Sequence, residues 1–140
     1  MNQSPDQNGS MGYLIVKVST ARGAIPLEGA TVIIRGGTPE SSGVLYSLRT
    51  DRDGKTPQIS LPTPPRSMSE TPGGGTPYAA YQIEVFKDGY VPLAFENVPI
   101  FPSIVSVQPA VMVPSPEYYG DALPYSSATV ISPEDADTAL

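Results

Sequence analysis

Residues 44–61 read VLYSLRTDRDGKTPQISL. Val44, Tyr46 and Leu48 recur at a period of two, the spacing of a β-strand with one face turned to a core. Asp51-Arg52-Asp53-Gly54 breaks that pattern with the strongest turn signal of the chain. Aspartate favours the start of a turn, and glycine accepts the positive φ that a tight connection needs. Residues 58–61 resume an extended pattern. The stretch predicts strand, hairpin turn, strand.

The same period runs outward on both sides. Leu14, Val16 and Val18 share one face over residues 13–19, and Ala30, Val32 and Ile34 share one over residues 30–35. Between them, Gly23, Pro26 and Gly29 mark a turn. Downstream, Tyr81, Ile83 and Val85 line one face of residues 78–86, and Lys87-Asp88-Gly89 reads as a tight turn. Residues 90–100 carry Pro92 and Pro99. Residues 104–113 carry Pro109 and place Val105, Val107, Val111 and Val113 on one side. Proline cannot donate to a sheet ladder, so these two segments are expected at sheet edges.

The count is seven short strands with turn signals between them. With 17 Pro and 13 Gly spread along 140 residues, an all-helical fold is excluded in practice. Half-polar sheets must each bury one face, so the expected fold is all-β: a seven-stranded antiparallel β-sandwich over residues 13–113. Residues 1–12 read as a polar, disordered leader and residues 114–140 as an acidic, flexible tail.

Charge sharpens that division. Residues 13–113 hold 8 acids and 8 bases, so the net charge of −6 comes from Asp6, Glu117, Asp121, Glu134, Asp135 and Asp137. An acidic chain with singly scattered bases is not expected to bind nucleic acid. No apolar run is long enough for a membrane span, and residues 1–12 lack the apolar core of a signal peptide. The protein is therefore expected to stay in the cytoplasm or to leave by a route these residues do not show.

Three segments resemble carboxypeptidase regulatory-like domains, a transthyretin-like family. They are Gly23-Ala24-Ile25-Pro26-Leu27-Glu28-Gly29-Ala30-Thr31-Val32, Thr50-Asp51-Arg52-Asp53-Gly54, and Tyr81-Gln82-Ile83-Glu84-Val85 with Gly89-Tyr90. A narrower resemblance covers Pro77-Tyr78-Ala79-Ala80-Tyr81, Asn97-Val98-Pro99-Ile100-Phe101-Pro102, Ser106-Val107-Gln108-Pro109 and Met112-Val113-Pro114. These look like the N-terminal domain of clostridial spore cortex-lytic enzymes and their stand-alone relatives in spore-forming Firmicutes. The resemblance implies a transthyretin-like sandwich and a spore or cell-wall setting. It does not imply lytic activity, which a separate domain of those enzymes carries.

Catalytic and metal readings find little support in the residues. The chain has no His and no Cys, which removes imidazole bases, thiol nucleophiles and the commonest zinc ligands. The His-dependent hydrolase and metallocarboxypeptidase sites of related folds are therefore not expected. Asp51-x-Asp53-Gly54 invites a calcium reading, but the further ligands and distal Glu of an EF-hand are missing, and a turn is the better reading. Lys17, Glu84 and Asn97 invite an intramolecular isopeptide bond, yet Lys17 alternates outward. No enzyme, cofactor or metal is expected.

The function expected is that of a non-catalytic binding or structural module for a protein or a cell-wall component, acting through sheet edges. The alternative is a stand-alone pro-domain or folding assistant for a cortex-lytic hydrolase. Candidate partner contacts are Tyr118, Tyr119 and Tyr125 in the tail, because tyrosine is favoured at interfaces. Arg66 and Met68 join them from the long Pro/Gly/Ser-rich loop over residues 62–77. Open edges also predict self-association, which Pro92 and Pro109 would limit.

Overall fold

The computed structural model describes residues 10–65 and 77–116. Eight strands follow in order: β1 (Ser10–Thr20), β2 (Ile25–Pro26), β3 (Thr31–Gly36), β4 (Val44–Arg49), β5 (Ile59–Thr63), β6 (Ala79–Phe86), β7 (Leu93–Ile100) and β8 (Val105–Val111). Seven of them correspond to the expected strands. The two-residue β2 is an addition, paired with the end of β1 in what reads from sequence as turn alone. Among the described residues, no helix is long and apolar enough to cross a membrane.

The strands form two sheets. In one, β1 is central, with β2 and β5 along one side and β8 along the other. In the second the order is β4-β3-β6-β7, antiparallel throughout. The β1–β8 ladder runs parallel, which corrects the all-antiparallel expectation for that one pair.

The core lies between the sheets. Leu14, Val16 and Val18 of β1 are fully buried against Val32 and Ile34 of β3 and Ile83 and Val85 of β6, as their alternation predicts. Two further expectations fail. Val44 is exposed, because the β3–β4 register shifts beside Ile34 and Arg35 and turns the start of β4 outward. In β8 the valines form the outer row, and Ala110 and Met112 are the buried residues. Register with β1 explains this: Val18 sits beside Ala110, so the even-numbered residues of β8 share the core face.

The turn over residues 51–54 forms as expected, but it does not close a hairpin. Gly54 N–H donates to the Asp51 carbonyl at 2.8 Å, and Gly54 adopts φ +79°. The flanking threonines attach to different sheets. Thr50 Oγ1 accepts from Ala30 N–H at 2.9 Å and donates to the Leu27 carbonyl at 2.6 Å, next to β3. Thr56 Oγ1 accepts from Val16 N–H of β1 at 3.0 Å. The turn is thus an arch from β4 in one sheet to β5 in the other. The hydroxyls at its two ends thus bind backbone groups that would otherwise lie unpaired.

A bulge shapes the opposite edge. Tyr81 pairs with Val98 and Ile83 with Phe95, so β7 has one residue more than β6 over this span. Asn97 takes the left-handed conformation there (φ 57°), which Asn tolerates better than most residues.

Candidate functional site: the open edge of β8

The sheet ladder decides which backbone groups of β8 are free. Tyr13 N–H donates to the Ile104 carbonyl at 2.9 Å, and Met112 N–H donates to the Ser19 carbonyl at 2.7 Å. These bonds bracket the parallel ladder and set its alternation. Even-numbered residues of β8 direct their N–H and C=O groups to β1, and odd-numbered residues direct theirs away from it.

Pro109 therefore sits where β1 asks for no donor, and it removes one donor from the outer edge. Its carbonyl is also occupied, because Gln108 Nε2 donates to it at 2.9 Å. Past β8, Val91 N–H donates to the Val113 carbonyl and Ser115 N–H to the Gly89 carbonyl, at 2.9 and 2.8 Å. These bonds stitch the end of the chain segment to the turn before β7. Among the described residues, the longest open stretch of the edge is left at Val105 and Val107, together with the Ile104 side chain beside them.

At the far edge of the same sheet the outward carbonyls of β5 are occupied. Gly12 and Leu14 pair with Leu61 and Ile59, so the carbonyls of Ser60 and Pro62 point away from β1. Tyr46 Oη donates to the first at 2.8 Å and Tyr81 Oη to the second at 2.5 Å. Two tyrosines of the second sheet thus cap β5, and Pro62 supplies no N–H there.

The outer face beside the open edge is apolar. Tyr13 lies beside Val105 and Ile15 beside Val107. Val105 and Val107 are 49% and 55% exposed, with Ile104 at 51%. The charges of this face gather at one end, where Lys17 bridges to Lys55. Exposed β-branched residues on a flat face next to free ladder groups are the usual sign of an interaction surface.

The residues singled out from sequence fall elsewhere. Tyr118, Tyr119, Tyr125, Arg66 and Met68 lie outside the described residues. The isopeptide trio does not assemble. Lys17 is on the outer face of one sheet, Glu84 pairs with Arg35 at 3.3 Å on the other, and Asn97 forms the bulge. Asp51 Oδ1 accepts from Asp53 and Lys55 N–H at 2.8 and 3.0 Å, the pattern of an Asx turn. Those bonds, the one from Lys55 foremost, hold its carboxyl below the ordinary range. Among the described residues, no group of three or more carboxylates assembles to hold a metal ion. Sequence reading missed the Val105–Val107 edge itself. The signal was present in Pro109, which marks β8 as an edge strand.

No family model matches the chain, and no curated protein matches it. Solved structures do. The 3-chlorocatechol 1,2-dioxygenase of Rhodococcus opacus 1CP is 13% identical with a TM-score of 0.50, over 82% of this chain and 64% of that one. The catechol 1,2-dioxygenase of Acinetobacter sp. ADP1 is 15% identical with a TM-score of 0.50, over 81% and 56%. The minor pilin GBS52 of Streptococcus agalactiae is 19% identical with a TM-score of 0.47, over 77% and 47%. The chain spans less than two thirds of the length of each. At such identities the likeness to the two dioxygenases is one of fold alone, in keeping with the two-sheet β-sandwich described above.

Proposed function

We propose that this chain is a non-catalytic binding module that receives an extended segment of a protein partner along β8. The observation that carries this reading is the free stretch at Val105 and Val107, in a sheet whose opposite edge has the Ser60 and Pro62 carbonyls capped by tyrosine hydroxyls. An added strand would continue the β1–β8 ladder through main-chain hydrogen bonds. Its alternate side chains would lie over Tyr13, Ile15, Val105 and Val107, which supplies selectivity. The spore or cell-wall setting rests on the resemblance of residues 77–114 and belongs to the same proposal, with peptidoglycan as the competing target.

The test separates backbone from side chain. Val107→Pro removes an outward N–H that β1 does not use, and Val107→Thr keeps it. Immobilised full chains are compared for retention of proteins from a sporulating-cell extract and of purified peptidoglycan. The reading expects a protein that the wild type and Val107→Thr retain and Val107→Pro loses. Equal retention by all three, or retention of peptidoglycan alone, overturns it.

A further inference from the structure

A second feature lies at the far end of the other sheet. The side chains of Arg49, from β4, and Lys87, from the turn after β6, converge over Gly29. A Cβ built on Gly29 would stand 3.5 Å from Lys87 Nζ and 3.9 Å from Arg49 Nη2. Thr31 and the ring of Phe86 complete the walls of an open cleft of about 330 Å³, with the Asp88 carboxylate on its rim. Two cations brought to one point repel each other. Among the described residues neither forms an ion pair, Asp88 included; Arg35 with Glu84 is the pair that does form. The cleft is thus a seat for a carboxylate, with a forked donor in Arg49, a point charge in Lys87 and a hydroxyl in Thr31.

The path of the chain says whose carboxylate. A neighbouring cleft shares Phe86, Lys87 and Asp88 and is closed by Tyr90, Pro92 and Ser115. Ser115 is held there by its N–H bond to the Gly89 carbonyl at 2.8 Å. The described residues stop at Pro116, one residue past Ser115, and Glu117-Tyr118-Tyr119-Gly120-Asp121 comes next. Residues 117–140 hold five acids and no base. Glu117 follows Ser115 by two residues, a span of at most about 7 Å of chain. Tethering also sets a local concentration that a free acidic peptide would have to match, on the order of millimolar for a short linker.

We propose that the Arg49–Lys87 cleft is the docking seat of the chain's own acidic segment over residues 117–121. Glu117 and Asp121 supply the carboxylates, and Tyr118 or Tyr119 covers the exposed Phe86 ring. Strand addition on β8 does not depend on this contact.

The test compares amide and arginine side-chain NMR signals of the full chain with those of a full-length Glu117→Gln/Asp121→Asn variant. Both positions lie outside the described residues, and neither substitution changes a side chain of the buried core cluster. At low salt, the signals of Gly29, Thr31, Arg49 and Lys87 are expected to differ between the two proteins. The difference is expected to vanish in 0.5 M salt, on the order of magnitude at which screening shortens to a few ångströms. Lys87→Glu in the wild-type background is expected to reproduce the variant's signals at Gly29 and Thr31. Coincident cleft signals in the two proteins at low salt overturn the proposal. So does a shift confined to residues 113–116. A peptide of residues 117–124 added to the variant addresses the other source. Should it move the cleft signals while the tethered segment does not, the seat serves a separate acidic molecule and the intramolecular assignment falls.

Discussion

The Tyr81 hydroxyl, carried by β6, donates to the Pro62 carbonyl of β5 across the two sheets at 2.5 Å. Tyr81 is buried, and that burial, with a smaller contribution from Tyr46, pushes its phenol above the ordinary tyrosine range. A raised folded-state value means that the neutral phenol is the form the fold accepts. Its contribution is complete below the unfolded value and is lost as pH rises through the folded one. Tyr81→Phe should cost about 1 kcal/mol near neutral pH, because the Pro62 carbonyl loses its partner. It should also flatten the alkaline decline in stability. Urea denaturation of both proteins at neutral pH and above pH 10 measures both effects.

Gly54 occupies the arch with φ +79° and has no room for a side chain. A Cβ there would stand 2.3 Å from the Val18 carbonyl oxygen, whose position the β1 ladder fixes. Gly54→Ala is expected to destabilise the fold by about 2–4 kcal/mol, combining left-handed backbone strain with a backbone clash. Thermal denaturation reads the loss. Gly43 offers the contrast, since a Cβ there meets nothing within 4 Å, and Gly43→Ala should lie within about 0.5 kcal/mol of the wild type.

The acid limb of the stability curve should depend on Asp51. Its carboxylate is held below the ordinary range, chiefly by the N–H bond from Lys55. A depressed folded-state value contributes stability above the unfolded value, and this is lost as pH falls through the folded one. Asp51→Asn keeps an acceptor for the turn but no longer titrates. Its stability is expected to fall less steeply than that of the wild type on acidification, as followed by denaturant midpoints.

Pro109 and the Gln108 side chain together silence the middle of the β8 edge. Pro109→Val restores an outward donor and extends the free edge from Val105 toward Val111. The variant is expected to self-associate at concentrations where the wild type does not, through pairing of β8 with a second copy. Sedimentation velocity across a concentration series reads this directly. Identical sedimentation of the two proteins would show that the proline is not what restrains the edge.

Much of the fold was legible because local alternation and burial agree in the central strands. Leu14, Val16 and Val18, then Val32 and Ile34, then Ile83 and Val85 announce their faces without reference to any partner. What was illegible depended on partners distant in sequence. The turn at residues 51–54 looks like a hairpin until Thr50 is seen bound beside β3 and Thr56 to β1. In β8 the valine row looks like a core face, since valine is the more apolar half of the alternation. Register with β1 gives that face to Ala110 and Met112 instead. The binding edge was half legible: Pro109 marked an edge strand, while Tyr46 and Tyr81 as caps of β5 belong to the sandwich alone.

Strand addition on β8 is the central claim, and the Val107→Pro comparison meets it most directly. The substitution leaves the even-numbered ladder to β1 intact and removes one outward N–H at the centre of the open stretch. Once a retained protein is identified, titration calorimetry with the wild type, Val107→Pro and Val107→Thr measures the effect. The account predicts an affinity loss of about fivefold or more for Val107→Pro, the equivalent of one main-chain hydrogen bond near 1 kcal/mol, and a smaller loss for Val107→Thr. Equal affinity for Val107→Pro and the wild type would contradict it.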